Sequence, residues 1–259
     1  MANQDNEKNR VAWNEMAGVH FDHPDYRVKE FLEGRSTLKS IEIEELGDVS
    51  EKSLLHLFCQ FGLDTLSWAR RDAIVTGVDI SDTSIELAEN LTRQSGLRAR
   101  WVRTDVLDLR DKLDEKFDIV FQSYGTHHWI EDLNKWAEIV SHFLKPGGRL
   151  YMVDLHPIMG PWLESDVSYF KKGPYLYSNE VDYCNKDYIV RSEHVEWQHK
   201  LADIVSALID TGLTIEYLHE FDKCCYPRER DWYEKDGYYY PPEGPTRFPQ
   251  LFSLSGRKR

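Results

Sequence analysis

Two aspartates and one glycine-poor loop carry most of the chemistry that this sequence offers. Asp79 follows the apolar run Ile74–Val78, and Asp105 lies just beyond a second run, Arg98–Arg103. An acid at the end of such a run can accept both hydrogen bonds of a ribose diol, and its charge strengthens each bond. Asp79 also reads as an N-terminal charge complementing a helix that begins near Asp82. Asp105 is placed to accept from an exocyclic adenine amine, or else to serve as a turn residue. The loop is Phe58-Cys59-Gln60-Phe61-Gly62-Leu63-Asp64-Thr65. A pyrophosphate at a helix N-terminus needs several glycines so that the backbone can approach it. Gly62 is the one glycine here, among the bulky Phe58, Gln60 and Phe61, so the loop favours a ligand without phosphates.

These residues need a scaffold that brings loop ends together. From Ser53 onward, short apolar runs alternate with helical stretches. Strands are predicted over Ser53–Leu57, Ile74–Val78, Arg98–Arg103, Phe117–Gln122 and Arg149–Leu155. Helices are predicted over Asp64–Arg70, Asp82–Ser95 with Gly96 as its stop, and Asp132–Leu144, closed by Lys145-Pro146-Gly147-Gly148. The alternation indicates a parallel sheet with right-handed crossovers, whose ligands bind beyond the carboxyl ends of the strands. Upstream, Val11, Trp13 and Met16-Ala17 suggest a short helix, and Leu38, Ile41, Ile43 and Leu46 a second that Gly47 ends. Between His156 and Glu196 the periodicity weakens, and an inserted hairpin is expected. A helix at His199–Thr211 and strands at Leu213–Phe221 and Leu251–Ser255 follow. The aromatic and proline-rich stretch Tyr226–Pro249 reads as a long connection without structure of its own. The expected organisation is a single domain over residues 1–259, with a helical cover at 1–47 and an inserted substrate-side cover at 156–197.

Composition narrows the partners. Lys and Arg number 32 against 45 Asp and Glu, a formal net charge of -13, which argues against a nucleic-acid backbone. No apolar run approaches the ~20 residues needed to span a bilayer, and the polar N-terminus has no signal-peptide core. Cys59, Cys184, Cys224 and Cys225 show no Cys-x-x-Cys spacing, so all four read as reduced thiols of a cytoplasmic protein. The expected partner is a small-molecule substrate, with no nucleic acid and no membrane, and a homodimer stays open.

As a set, four segments are similar to the class I S-adenosylmethionine-dependent methyltransferases, and the likeness runs from about Asn9 to the C-terminus. They are Leu54–Ser67, Thr76-Gly77-Val78-Asp79-Ile80-Ser81, Phe117-Asp118-Ile119-Val120 and Leu144-Lys145-Pro146-Gly147-Gly148. The ending Leu251–Lys258 resembles the reversed last strand of that fold. The resemblance is closest to a bacterial small-molecule subgroup with a glycine-poor first motif. It implies an α/β fold with a Rossmann-like, seven-stranded, mostly parallel sheet and helices on both faces. Its implied cofactor is S-adenosylmethionine, with Phe58, Cys59, Gln60, Gly62 and Thr65 beside the methionine part and Asp79 on the ribose. Ile80 would lie against the adenine, Asp105 and Val106 at its edge, and the backbone of Gln122 and Ser123 would face the ammonium. Here His56 stands where an acid is common, and Phe58 and Gln60 replace glycines.

The chemistry so implied is methyl transfer by in-line displacement to a nitrogen or oxygen of a small molecule, for which alignment of the reactants matters most. Tyr124, His127 and His128 are the candidate catalytic groups, since a base near neutral pH is useful when the acceptor must lose a proton. A His in such a loop also commonly caps a helix or bonds a carbonyl. Trp13, Phe21, Tyr26 and Trp129 are candidate substrate contacts, either as an aromatic cage for a cationic amine or as packing for the covers. His156, after strand five, is a further candidate substrate contact and a candidate base. Nothing in the spacing resembles a metal-ligand motif, so no metal is expected. The alternative function is an S-adenosylmethionine-binding or regulatory module without catalysis. A nicotinamide oxidoreductase is disfavoured by the missing glycines.

Overall fold

The computed structural model describes residues 4–228 and 231–259. Seven strands form one sheet: β1 (Ser53–Leu57), β2 (Ile74–Asp79), β3 (Arg100–Arg103), β4 (Phe117–Ser123), β5 (Leu144–Leu155), β6 (Leu213–Phe221) and β7 (Leu251–Lys258). Their order is β6-β7-β5-β4-β1-β2-β3. β7 runs antiparallel to both of its neighbours, so it alone is reversed. Among the described residues, eight α-helices accompany the sheet: α1 (Gln4–Phe21), α2 (Val28–Leu32), α3 (Ser40–Leu46), α4 (Leu63–Ala69), α5 (Asp82–Ser95), α6 (Leu133–Phe143), α7 (Met159–Leu163) and α8 (Leu201–Asp210). This is the Rossmann-like architecture that the resemblance implies, and its parallel part is what the alternating pattern predicts. Among the described residues, no helix is long and apolar enough to cross a membrane.

Two compact units make up the chain. The first holds residues up to Thr37, Val49–Glu115 and Pro174–Glu196, and so contains α1, α2, β1–β3, α4 and α5. Ser81 opens α5 by accepting the Ser84 amide at 3.0 Å, and Gly96 closes it in the left-handed region. Ile85, Ala88 and Leu91 give α5 its buried stripe. A further core gathers Phe31, Phe61, Leu63, Leu66 and Leu91.

The helix α1 is longer than its apolar residues suggest. Its buried stripe is Asn9, Ala12, Met16, Ala17 and His20, of which two members are polar, while Val11 is 43% exposed. The Asn9 side chain replaces apolar contact with a pair of bonds to the backbone of Val195, donating to its carbonyl at 2.9 Å and accepting its amide at 2.7 Å. Val195 belongs to a short strand, His194–Glu196, paired with Tyr175–Tyr177, and Glu180–Val181 pairs with Ile189–Val190. The segment expected to form one hairpin therefore makes two separate short pairs.

The second unit holds Leu38–Asp48, Lys116–Gly173 and Trp197–Arg259, with α3, β4–β7, α6, α7 and α8. Asp132 caps α6 through the amides of Asn134 and Lys135. Leu133, Trp136, Ala137, Val140 and Phe143 line its buried face. β5 begins at Leu144, ahead of the predicted Arg149, because Leu144 already pairs with Phe117 before a register shift resets the ladder. The stretch Tyr226–Pro249 is not structureless, for Tyr233–Lys235 pairs with Tyr238–Tyr240. Asp236 and Gly237, both at positive φ, make the tight Asp-Gly turn that matches strand twist. The four cysteines are free.

Candidate functional site

In the first unit, the loop between β1 and α4 keeps a glycine-type path without the glycines. Phe58, Gln60 and Gly62 have φ of 56°, 50° and 82°. Two side-chain-bearing residues thus sit in the left-handed region, at a cost of roughly 1–2 kcal/mol each. Gly62 is irreplaceable on a second count: a Cβ there would lie 2.2 Å from the Trp101 ring. Phe61 turns into the core, where it meets Phe21 and Tyr26 with ring centroids 5.4 and 5.0 Å away.

Left-handed turns at 58 and 60 aim a backbone amide at an acid. The Gln60 amide donates to Asp79 Oδ2 at 2.8 Å, and the Ser81 amide donates to Oδ1 at 2.9 Å. Each carboxylate oxygen still has a further lone-pair position, and Asp79 is 8% exposed. Burial pushes its pKa up to about 6, against the amides of Ser81, Gln60 and Ile80, which lower it. Cys59 is buried beside it, and burial followed by the Asp79 charge holds the thiol well above its ordinary range. His56 Nδ1 lies 2.7 Å from Thr65 Oγ1. Burial lowers the His56 pKa to about 4, so its imidazole is neutral at neutral pH.

Asp105 caps the short helical turn Val106–Asp111 by accepting the Leu107 amide at 2.8 Å, and Asn6 of α1 reaches its other oxygen. Val106 is buried and Ile80 half-buried. Asn14, also on α1, accepts from Ser81 Oγ at 2.7 Å and from the Thr83 amide at 3.2 Å. Thus α1 is docked by polar side chains across the carboxyl ends of β2 and β3.

A polar cluster, buried at His20 and Asp182, continues from this loop. His20 Nε2 lies 2.8 Å from Asp182 Oδ2. Burial opposes ionisation of Asp182, but the bond to His20 and the amides of Asn185 and Cys184 bring its carboxyl below the usual range. The imidazole therefore donates through Nε2, which leaves Nδ1 as acceptor toward Tyr26 Oη at 3.2 Å and Gln60 Nε2 at 3.2 Å. Gln60 Nε2 also donates to Tyr26 Oη at 3.0 Å, and Tyr26 and Tyr183 hydroxyls are 2.5 Å apart. Among the proposed substrate contacts of this unit, Tyr26 joins the cluster. Phe21 packs on Phe61, and Trp13 sits against the Ala12, Met16 and Val190 core.

In the second unit, the carboxyl ends of β4 and β5 are organised around Asp154. This buried carboxylate accepts the amides of Thr126 at 3.1 Å and His127 at 3.0 Å and the Thr126 hydroxyl at 2.7 Å, with the Gly125 amide bonded as well. His127 Nδ1 lies 3.2 Å from Asp154 Oδ2, out of line for a hydrogen bond but close enough for charge pairing. Burial raises the Asp154 pKa, yet His127 and these donors together hold it well below the carboxylate range. Gln122 spends its side chain locally, accepting Trp136 Nε1 at 3.0 Å and donating to Thr126 Oγ1 at 2.7 Å, while Ser123 is buried at the end of β4.

Tyr124 has φ of 41° and donates its hydroxyl to Glu42 Oε2 at 2.7 Å. Burial, then the charge of Glu42, keeps that phenol well above its ordinary pKa, so it acts as a donor. His128 is half-buried, its ring 5.5 Å from that of His127, and its carbonyl accepts the Trp197 amide at 2.8 Å. Trp129 donates its indole N–H to the Gly125 carbonyl at 3.0 Å. His156 uses both nitrogens: Nδ1 accepts the Ile158 amide at 3.2 Å and Nε2 meets Glu220 at 2.9 Å.

Sequence reasoning passed over Asn14, His20, Glu42, Asp154 and Asp182. For Asp154 a signal existed, since it interrupts the apolar strand Leu150-Tyr151-Met152-Val153 at its carboxyl end. The others have partners far along the chain and no local pattern.

Comparison with known proteins fits this geometry. Residues 54–148 match the model of a family described as a methyltransferase domain. The ubiquinone biosynthesis O-methyltransferase of Saccharophagus degradans is 28% identical over 120 residues, 46% of this chain and 50% of that protein. Its counterpart in Coxiella burnetii is 29% identical over 142 residues, 54% of each. The chain spans about half the length of these curated relatives. Among solved structures, an S-adenosylmethionine-dependent methyltransferase from Methanosarcina mazei matches with a TM-score of 0.59 at 20% identity, over 85% of this chain and 98% of that one. Another, from Clostridium acetobutylicum, gives 0.57 at 19% identity over 84% and 87%. At these identities the structural likeness speaks for the fold. The methyltransferase-domain match thus covers residues 54–148, and the fold is the one that these S-adenosylmethionine-dependent methyltransferases share.

Proposed function

We propose that this chain is an enzyme that transfers a methyl group from S-adenosylmethionine to a nitrogen or oxygen of a small-molecule acceptor, by in-line displacement. The observation that carries the reading is the left-handed loop of Phe58, Gln60 and Gly62, which fastens a backbone amide to Asp79. Two bulky residues hold a strained path that glycine would adopt freely, and backbone strain of this kind concentrates at functional sites.

The residues present fit the cofactor. Asp79 keeps lone pairs for both ribose hydroxyls, Ile80 offers an apolar side chain for adenine, and Asp105 with Val106 borders its edge. Phe61 is turned into the core, which leaves the loop backbone, Cys59 and Gly62 for the methionine part. Thr65 supports the loop through His56. The Gln122 side chain is engaged elsewhere, so its backbone and that of Ser123 are assigned to the ammonium. When bound, S-adenosylmethionine supplies a sulfonium methyl with an already activated leaving group.

On the acceptor side, His127 is the proposed base, with His128 beside it. Asp154 stays ionised and would stabilise the imidazolium formed when His127 takes a proton, a role that raises rates by roughly 10²–10⁴-fold. Tyr124, held as a donor by Glu42, would orient the acceptor. Trp13, Phe21, Tyr26, Trp129 and His156 are proposed to shape the surroundings, His156 through its bond to Glu220. The proposed organisation remains one methyltransferase domain over 1–259, with residues 1–47 and 156–197 as covers, in the cytoplasm, acting without nucleic acid or membrane, with a homodimer open.

Thermal unfolding with S-adenosylhomocysteine tests the reading. At about 100 times its Kd the ligand adds ~2.7 kcal/mol of stability, whereas NAD adds none. Absence of stabilisation by S-adenosylhomocysteine would contradict it. Labelled methyl transfer to a panel of amines and phenols then separates an enzyme from a binding module of the same fold.

A further inference from the structure

Outside the proposed site, three side chains of different chemistry meet at one place in the first unit. His23 precedes the turn Pro24–Tyr26, and Asp25 lies within it. Cys184 comes from a turn about 160 residues further along. Cys184 Sγ is 3.0 Å from His23 Nδ1, and Asp25 Oδ2 is 3.7 Å from the same nitrogen. All three ligand atoms lie within 4.8 Å of one another. Zinc bonds of about 2.0–2.1 Å to nitrogen and 2.3 Å to sulfur place tetrahedral ligand atoms roughly 3.3–3.6 Å apart. The observed separations bracket that range, so small side-chain rotations close the set around an ion.

Surrounding residues hold this arrangement. Asp182 Oδ1 accepts the amides of Cys184 at 2.9 Å and Asn185 at 2.7 Å, which sets the direction of the thiol. Its other oxygen is fixed by His20, so the turn is anchored to α1. Lys186, the nearby cation, donates to the carbonyls of Asp182 and Tyr183 at 3.3 and 2.8 Å and is thereby engaged with backbone. Partners that orient ligands in this way are a regular part of metal centres. Asp25 is 77% exposed along its side chain, and His23 22%, so an ion has an entry path from solvent.

We propose that His23 Nδ1, Cys184 Sγ and Asp25 Oδ2 bind a zinc-class divalent ion that ties the turn after α1 to the 182–187 turn. Nitrogen, thiolate and carboxylate donors suit borderline-soft divalent metals, and three protein ligands leave a fourth position for water. On binding, the Cys184 thiol gives up its proton to solvent and the sulfur's electron pair forms the bond to the ion.

The test uses the full chain, stripped by chelator and titrated with Co²⁺ as a spectroscopic probe. We expect a thiolate-to-cobalt charge-transfer band in the near ultraviolet that saturates at about one equivalent. Cys184→Ser removes the band while far-ultraviolet circular dichroism stays native. Asp25→Asn keeps the band but weakens affinity by at least the roughly 10–100-fold that outer-shell losses cost. No band in the parent protein, or a band that survives Cys184→Ser and so belongs to Cys224 and Cys225, overturns the proposal. Unchanged affinity in Asp25→Asn overturns the three-ligand set.

Discussion

The carboxyl ends of β1–β3 and those of β4 and β5 are both lined with polar side chains, but they satisfy them differently. In the first region backbone amides do the anchoring, and the one carboxylate at its centre, Asp79, keeps acceptor capacity. In the second, side chains and amides converge on Asp154, and Gln122, Tyr124 and His156 are each tied to a neighbour. On the proposed reading, the first surface would take the cofactor with backbone and one acid, and the second would hold its candidate groups still for an acceptor, in keeping with its many internal hydrogen bonds.

The largest effect that sharpens this contrast is on turnover. His127→Ala should lower kcat by about 10²–10⁴-fold with S-adenosylhomocysteine affinity unchanged. Equal losses in affinity and rate would blur the two regions into one. Next comes Asp79→Ala, which removes charged hydrogen bonds worth roughly 1.5–3 kcal/mol each. Cofactor affinity, read by calorimetry, should fall by about 10²–10⁴-fold while the midpoint of unfolding without ligand moves little by comparison.

A smaller effect is pH-dependent. On the proposed reading, ribose binding needs the Asp79 carboxylate, whose pKa burial raises to about 6. Affinity should therefore hold above pH 6 and drop by about tenfold per unit below it, a slope that Asp79→Asn should flatten. For folding without ligand the sign reverses. A raised carboxyl pKa favours the protonated native state, so its contribution is present at low pH and is lost as pH rises through about 6. The smallest effect belongs to Gln60→Gly. Relief of about 1 kcal/mol of left-handed strain is offset by loss of the bonds to Tyr26 and His20, about 0.5–1.5 kcal/mol each. Denaturant midpoints should thus shift by no more than about 1–2 kcal/mol, whereas Gln60→Val, branched at Cβ in a left-handed position, should destabilise by more.

Much of the first region was legible in the sequence because it is written locally. The run Ile74–Val78 ends on Asp79, Ser81 opens a helix and Gly96 closes it, and each of these follows from neighbours a few residues apart. The path of the loop was harder to read. Phe58 and Gln60 argue against a glycine-type turn, and their left-handed φ values arise from the surrounding strand and core rather than from their own preferences. In α1 two of the five buried residues are polar, so hydrophobic spacing could not reveal Asn9 or His20. Glu42 with Tyr124, His20 with Asp182, and His23 with Cys184 are separated by 82, 162 and 161 residues. No periodicity connects residues at such distances. Tyr226–Pro249 is the opposite case: its Asp236-Gly237 turn was a local signal, masked by the prolines and aromatics around it.

The central claim is that Asp79 grips the ribose of a phosphate-free adenosyl ligand. A crystal structure of the chain with S-adenosylhomocysteine tests it most directly. The account predicts both ribose hydroxyls within about 2.5–3.0 Å of the two Asp79 oxygens, with the Gln60 and Ser81 amides still in place. A ribose bound elsewhere, with Asp79 bonded to those amides alone, would contradict it.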